Sequence, residues 1–256
     1  MERWFLAGMA MVMMIASASF AGDEFRCDTE IFVGTEKKKA VQDSLTIFRG
    51  TEAYDFLLGE AEEITLYDFG RGQITLLDKD RKLRTTITTD ELLRFTAAYK
   101  TRVAASDLFK FCTTPVFEQT FADDRLSLTS PQLSYKVTCT KPKYAPAANR
   151  YREFADWSAQ LNGMRPGSLP PFPRLELNQA LAVHDLLPEE IERTISTTHL
   201  TGKRTEIIRS HHNFNWALSV QDRNRIEQVE TYLTTFTTTT VGEYLQLDKV
   251  KSTAAK

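Results

Sequence analysis

The chain has 256 residues, a formal net charge of −2 and three cysteines, and 26% of it is charged. That charge excludes the basic excess by which nucleic-acid binders are usually known. The length lets the chain bury most of its apolar surface without covalent staples.

The first 21 residues read as a cleavable signal peptide. Arg3 supplies the positive start, partly offset by Glu2, and residues 4–15 are apolar apart from Gly8, too short a run for a spanning anchor. Ala16, Ser17, Ala18, Ser19 and Ala21 make a small-residue stretch, and Ser19 and Ala21 fit the small-x-small rule for cleavage before Gly22. Cleavage there leaves about 235 of the 256 residues in a periplasmic or extracellular location. The alternative is an uncleaved interfacial anchor. Five of the six methionines fall in residues 1–14, so the two parts differ in composition. Cys27 lacks the small and apolar residues of a lipidation signal upstream. No later stretch reaches 18 apolar residues, so no transmembrane anchor remains after cleavage.

From residue 22 to 140 the pattern is an antiparallel meander with one helix. Runs of alternating apolar and polar residues at 27–33, 44–48, 53–58, 64–69, 73–77 and 83–87 are separated by short turns, among them Gly70-Arg71-Gly72 and Asp78-Lys79-Asp80. Such short loops force antiparallel neighbours. Thr88 and Glu91 form a capping-box signature, and Leu92, Phe95, Tyr99 and Val103 then recur at helical spacing. Strands resume at 116–121, 125–128 and 133–139.

Residues 141–173 read as a helix (149–161) followed by a connector with prolines at 166, 170, 171 and 173, its core expected to be extended and polyproline-like. Residues 174–247 read as a smaller α+β extension. It holds a helix at 175–184, a strand pair at 191–198 and 205–211, a further strand marked by Phe214, Trp216 and Leu218, and a helix capped by Ser219 to Asp222. The threonine-rich run 234–241 suits a strand with one wet face, and residues 248–256 a disordered tail. The expected class is α+β: a curved, half-barrel-like antiparallel sheet with packed helices.

Residues able to carry chemistry are scattered. His211 and His212 are adjacent and so point to opposite faces of a strand, and neither they nor His184 and His199 show metal-ligand spacing. Acidic clusters at Glu60, Glu62 and Glu63, at Asp123 and Asp124, and at Glu189, Glu190 and Glu192 fall where solvated loops or strand starts are expected. No serine lies in a nucleophile elbow, and Gly70-Arg71-Gly72 lacks the third glycine of a dinucleotide loop. No catalytic residue, cofactor or metal is therefore assigned. Two of the three cysteines can pair in an oxidising compartment. Cys112 with Cys139 would close a loop of about 28 residues, worth about 3 kcal/mol. Free buried thiols are the alternative.

The density of apolar residues in the meander is the strongest functional cue. Phe48, Tyr54, Phe56, Tyr67 and Phe69 are its large members, and some strands are apolar on both faces. Either helices cover both faces or the sheet encloses an apolar cavity lined by these aromatics.

The strand at Cys27-Asp28-Thr29-Glu30-Ile31-Phe32, the strand Ser44-Leu45-Thr46-Ile47-Phe48, and the pair Ile64-Thr65-Leu66-Tyr67-Asp68-Phe69 and Gln73-Ile74-Thr75-Leu76-Leu77 resemble, over about residues 25–140, the carrier fold of the LolA, LolB and RseB type of periplasmic lipoprotein-sorting proteins. The chain as a whole also resembles exported bacterial proteins. The carrier resemblance implies a half-open antiparallel sheet with helices inside its concave face, where some members hold acyl chains and others bind protein partners. The helix that usually precedes the first strand of that fold is missing, and residues 150–247 have no counterpart in it. The resemblance carries no functional residue across. The readings it leaves are a non-catalytic binding or carrier module for a lipid or other apolar ligand, an envelope component that binds another protein, and a hydrolase without a recognisable motif.

Overall fold

The computed structural model of the chain describes residues 24–34, 39–59, 62–104, 110–199 and 202–246. The signal-peptide reading, Glu60, the side chain of His199 and the C-terminal tail lie outside the described residues. Six strands, β1 (Phe25–Val33), β2 (Gln42–Arg49), β3 (Glu52–Leu58), β4 (Glu63–Asp68), β5 (Gln73–Asp78) and β6 (Leu83–Thr88), form the expected meander, each antiparallel to the next. Helices α1 (Thr89–Ala104) and α2 (Lys110–Thr113) follow, then a second meander of β7 (Glu118–Ala122), β8 (Arg125–Thr129) and β9 (Leu133–Thr140). Helices α3 (Pro146–Asn162) and α4 (Phe172–Val183) lead into the long hairpin of β10 (Leu187–His199) and β11 (Gly202–Asn215). Helix α5 (Val220–Thr235), the short β12 (Thr237–Thr238) and α6 (Val241–Tyr244) complete the described chain.

The strands make one open sheet in the order β12-β6-β5-β4-β3-β2-β1-β11-β10-β9-β8-β7, antiparallel except for β12 against β6. The class is thus α+β, as read from the sequence. The C-terminal hairpin is stitched into the middle of the sheet: β11 pairs with β1, and β10 with β9. The β10–β9 register shifts between Pro188 and Glu190, where proline has no N–H to give the ladder.

Helices cover both faces of the first meander. Leu45, Ile47, Tyr54, Phe56, Ile64, Leu66 and Leu77 point to one face, beneath Ile226 and Val229 of α5. On the other face, Phe25, Phe48, Ala53, Tyr67, Ile74 and Leu76 pack against Tyr151, Ala155 and Leu161 of α3. Farther along that face, α4 lays Leu177, Ala180 and Leu181 on the inward side chains of β8, β9 and β10. The chain passes from one face to the other around the β6 edge, and α6 then seats the buried Tyr244 in the α3-side core.

Several turn signals hold in detail. Gly72 has φ of +61°, and a Cβ there would come within 2.9 Å of Thr89 Oγ1. Thr88 and Glu91 bond reciprocally at the start of α1, as do Ser219 and Asp222 at the start of α5.

Three readings need correction. The proline-rich connector does not stay extended: Pro171 has helical φ and ψ of −70° and −21°, and α4 starts at Phe172, because the fixed φ of proline suits a first helical turn. The threonine run is not a strand beyond two residues. Thr234 and Thr235 return their hydroxyls to the Thr231 carbonyl at 2.9 and 2.8 Å and end α5, while Thr240 caps α6. The further strand marked by Phe214, Trp216 and Leu218 is not a separate element: Phe214 belongs to the end of β11, and Trp216 and Leu218 lie past it. The Cys112–Cys139 bond that the sequence allows is not made, and Cys27, Cys112 and Cys139 are free buried thiols.

Candidate functional site

The α3 face of the meander is apolar at one end and polar at the other. The strand register explains the change. The short turn after Arg49 pairs Phe48 with Ala53, which sets Thr46 opposite Asp55, and Asp55 opposite Thr65. On the other flank Thr46 lies opposite Cys27, Ser44 opposite Thr29, and Thr29 opposite His212. Small hydroxylated side chains therefore line this end of the sheet where aromatics plug the other, and α3 crosses above without filling the gap. The result is a cleft of about 470 Å³ between the sheet and α3.

Asp55 sits on its floor. Its Oδ1 accepts the Thr46 hydroxyl hydrogen at 2.8 Å. Burial pushes the carboxyl up to about 6; the Thr46 bond opposes that shift and the neighbouring Glu63 adds to it. His212 lies on the same face. Its Nδ1 is 3.2 Å from Thr29 Oγ1 and 3.5 Å from the Tyr151 hydroxyl, and its Nε2 is 2.9 Å from Ser210 Oγ. Burial, with help from the Arg174 guanidinium and from His211, holds the imidazole down at about 3, so it is neutral near neutral pH. His211, on the opposite face, meets Glu190 at 3.8 Å and the edge of Phe32.

Helix α3 supplies the wall with Tyr151, Phe154, Ala155, Ser158 and Ala159. Phe154 stands edge-on to Phe48 and Tyr67, with centroids 5.6 and 5.2 Å away, and holds the helix at that height. Burial raises the Tyr67 and Tyr151 hydroxyls well above the usual phenol range. Arg174, at the start of α4, reaches the cleft and donates through Nε to Asn178 Oδ1 at 2.9 Å.

Most rim charges are already matched. Glu63 takes Arg165 and the Tyr244 hydroxyl, Asp78 takes Arg81 at 2.7 Å, and Glu62 takes Lys79. Glu63, read as part of a solvated cluster, is a half-buried member of this network. Among the described residues no group of three His, Cys, Asp or Glu side chains is placed to hold a metal ion.

The aromatics singled out in the sequence divide between the two faces. Tyr67 lines the cleft, Phe48 is buried in the core beside it, and Phe69 stacks on Tyr67 at 6.3 Å. Tyr54 and Phe56 lie on the far side, beneath α5, with Tyr54 donating to Glu52. These five residues therefore do not surround one space. Asp55, Thr46, Tyr151, Arg174 and His212 are the groups that do converge. The signal for Asp55 was a lone carboxylate between two aromatics of a strand, on the face shared with Thr46 and Thr65.

No family model matches the chain. No curated protein matches it either. Among solved structures the chain is similar to one titled "Structure of PNGF-II in C2 space group", with a TM-score of 0.33 and 10% identity, over 85% of this chain and 30% of that one. The chain spans less than a third of that structure, and so slight a likeness says nothing of activity.

Proposed function

We propose that the chain is a non-catalytic binding module, acting outside the cytoplasmic membrane, whose α3–sheet cleft takes a small polar or amphipathic ligand. One observation carries this reading: a cleft of about 470 Å³ reaches down to an enclosed carboxyl, Asp55, whose hydrogen-bond partner among the described residues is Thr46. Ligand pockets combine apolar walls with a few convergent polar groups. Here Tyr67, Tyr151 and Phe154 supply the former, and Asp55, Ser158 and Arg174 the latter. The leader-like start supports the address, and the resemblance over residues 25–140 supports a carrier or sensor role. The polar floor favours a ligand with hydrogen-bonding groups over a bare acyl chain, which would seal the Asp55 carboxyl from water with the Thr46 hydroxyl as its only hydrogen-bond donor among the described residues. An envelope component with a filled interior would need no such cleft.

A second reading, a hydrolase, is favoured by the position of Asp55 near the titration range of a general acid. Both ring nitrogens of His212 already have neighbours within hydrogen-bonding reach, and Glu63 and Asp78 are each paired with an arginine, so Asp55 would lack a second catalytic group.

Ala159 faces the cleft from α3, and Ala159→Trp should fill it. Melting of the purified protein against a panel of saccharides, amino acids, peptides and amphiphiles should reveal compounds that stabilise the native chain and leave the Ala159→Trp variant unmoved. A panel without effect on the native chain, together with native mass spectra free of bound small molecules, would refute the binding reading. Turnover of chromogenic ester or glycoside substrates that disappears in Asp55→Asn would establish the second reading instead.

A further inference from the structure

The charges lining the cleft separate into those already neutralised by a neighbour and those that are not. Glu62, Glu63 and Asp78 are matched by Lys79, Arg165 and Arg81. Asp80 stands exposed at the rim. Two charged groups remain inside. Among the described residues, no lysine, arginine or histidine nitrogen lies within the 4.0 Å of an ion pair from the Asp55 carboxylate, and no carboxylate oxygen lies that close to Arg174. Asp156, whose carboxyl feels the Arg174 charge, is taken by Arg152 at 3.4 Å and by Asn178 at 2.8 Å.

These two groups are opposite in charge and line the same cavity, yet they do not pair with each other. Tyr151 lies between their fields: the Arg174 guanidinium favours ionisation of its hydroxyl and Asp55 opposes it. A carboxyl taken out of water without a cation, and a guanidinium held by neutral partners, both forgo stabilisation in the empty protein. A ligand bearing both complementary charges would restore it at each end.

Resting on the binding reading above, we infer that the cleft selects small zwitterions, a free α-amino acid or a dipeptide, with the ligand ammonium at Asp55 and its carboxylate at Arg174. Guanidinium suits carboxylate through its planar fork of donors. The ammonium, at Asp55, would also share the cleft with Tyr67 and Phe154, and aromatic rings attract cations. A free α-amino acid or a dipeptide is small enough for about 470 Å³. Both share one chemistry, and the length of the best probe reports the span between the two charged ends.

Calorimetric titration at pH 7.5 with the twenty free amino acids and a set of dipeptides tests the inference. Each is paired with its N-acetyl form, which lacks the cation, and its carboxamide, which lacks the anion. Neutral mono- and disaccharides serve as controls. The expected result is binding of a subset of zwitterions, weakened tenfold or more by either block. Asp55→Asn should weaken the zwitterion at least tenfold while leaving its N-acetyl form unchanged, and Arg174→Gln should do the same with the carboxamide unchanged. Melting curves confirm that both variants fold. Saccharides that bind where zwitterions do not, or zwitterion affinities that neither substitution changes, would overturn the inference and leave the cleft-binding reading standing. Silence from every probe, saccharides included, would overturn the inference, and the binding reading falls with it only where the melting panel above, amphiphiles included, is also without effect.

Discussion

Arg26 Nη1 lies 3.0 Å from Oδ1 of Asp222, joining the first strand to the first turn of α5 across 196 residues of sequence. Asp222 is fully buried, and it also accepts from the Ser219 amide at 2.8 Å, so one carboxylate serves as cap and as tether. Burial alone would raise its pKa; the Ser219 bonds and Arg26 outweigh this and hold it below the usual carboxylate range. Asp222→Ala removes both roles and leaves the half-buried Arg26 guanidinium with Asp28 alone, at 3.1 Å. It should cost about 3 kcal/mol in urea unfolding. Ser219→Ala, which loses only the cap, should cost about 1 kcal/mol.

Asp55 has the opposite sign. Its folded-state value of about 6 lies above the ordinary 3.8, so the native chain holds its proton longer than the unfolded chain. The stability this group contributes is therefore complete below pH 4 and is lost as pH rises through about 6, a change of up to about 3 kcal/mol. Asp55→Asn should abolish that component: melting temperatures of the two proteins should agree near pH 3.5 and diverge in favour of the variant by pH 7. A variant less stable than the native chain at pH 7 would show that the carboxylate supports the fold.

Phe154 anchors the roof of the cleft through edge contacts to Phe48 and Tyr67. Phe154→Ala should destabilise the chain by about 3 kcal/mol in denaturant unfolding, from lost burial and the void left behind. It should also weaken whatever ligand the native cleft binds, since α3 would lose its fixed height.

The three thiols should be inert in the native state. Burial pushes Cys27 and Cys112 up to about 12 and Cys139 to about 11, so the thiolate is scarce at pH 8. A chromogenic thiol reagent should label none of them before unfolding and all three in guanidinium.

Much of the architecture was legible because it is local. The strands at Ser44 to Phe48 and Ile64 to Tyr67, the tight turn at Gly72 and the caps at Thr88 and Ser219 depend on neighbours within a few residues, and each appears as read. The insertion of β11 beside β1 depends on partners about 175 to 190 residues apart, and that of β10 beside β9 on partners about 50 to 60 apart, which no local pattern encodes. Proline and threonine misled for one reason: both suit helix ends as well as extended chain, and tertiary packing chose the helix ends at Pro171, Thr235 and Thr240. A cavity against the meander was among the expectations, but its polar lining was not, because the aromatics outweigh in number what alternates with them. Tyr54 and Phe56 face α5, and it is Asp55 between them, with Thr46 and Thr65 as cross-strand neighbours, that opens onto the cavity.

The place of β1 in the sheet also bears on synthesis. Its outer flank is completed only by residues 208–215, so a ribosome must add 175 to 182 residues after β1 before that flank can close. Until then the nascent meander offers a bare row of amide and carbonyl groups, open to any stray strand. Commitment to the native sheet therefore waits on β11, and a premature stop before residue 202 would leave two half-sheets, each with a sticky border, rather than a smaller working protein.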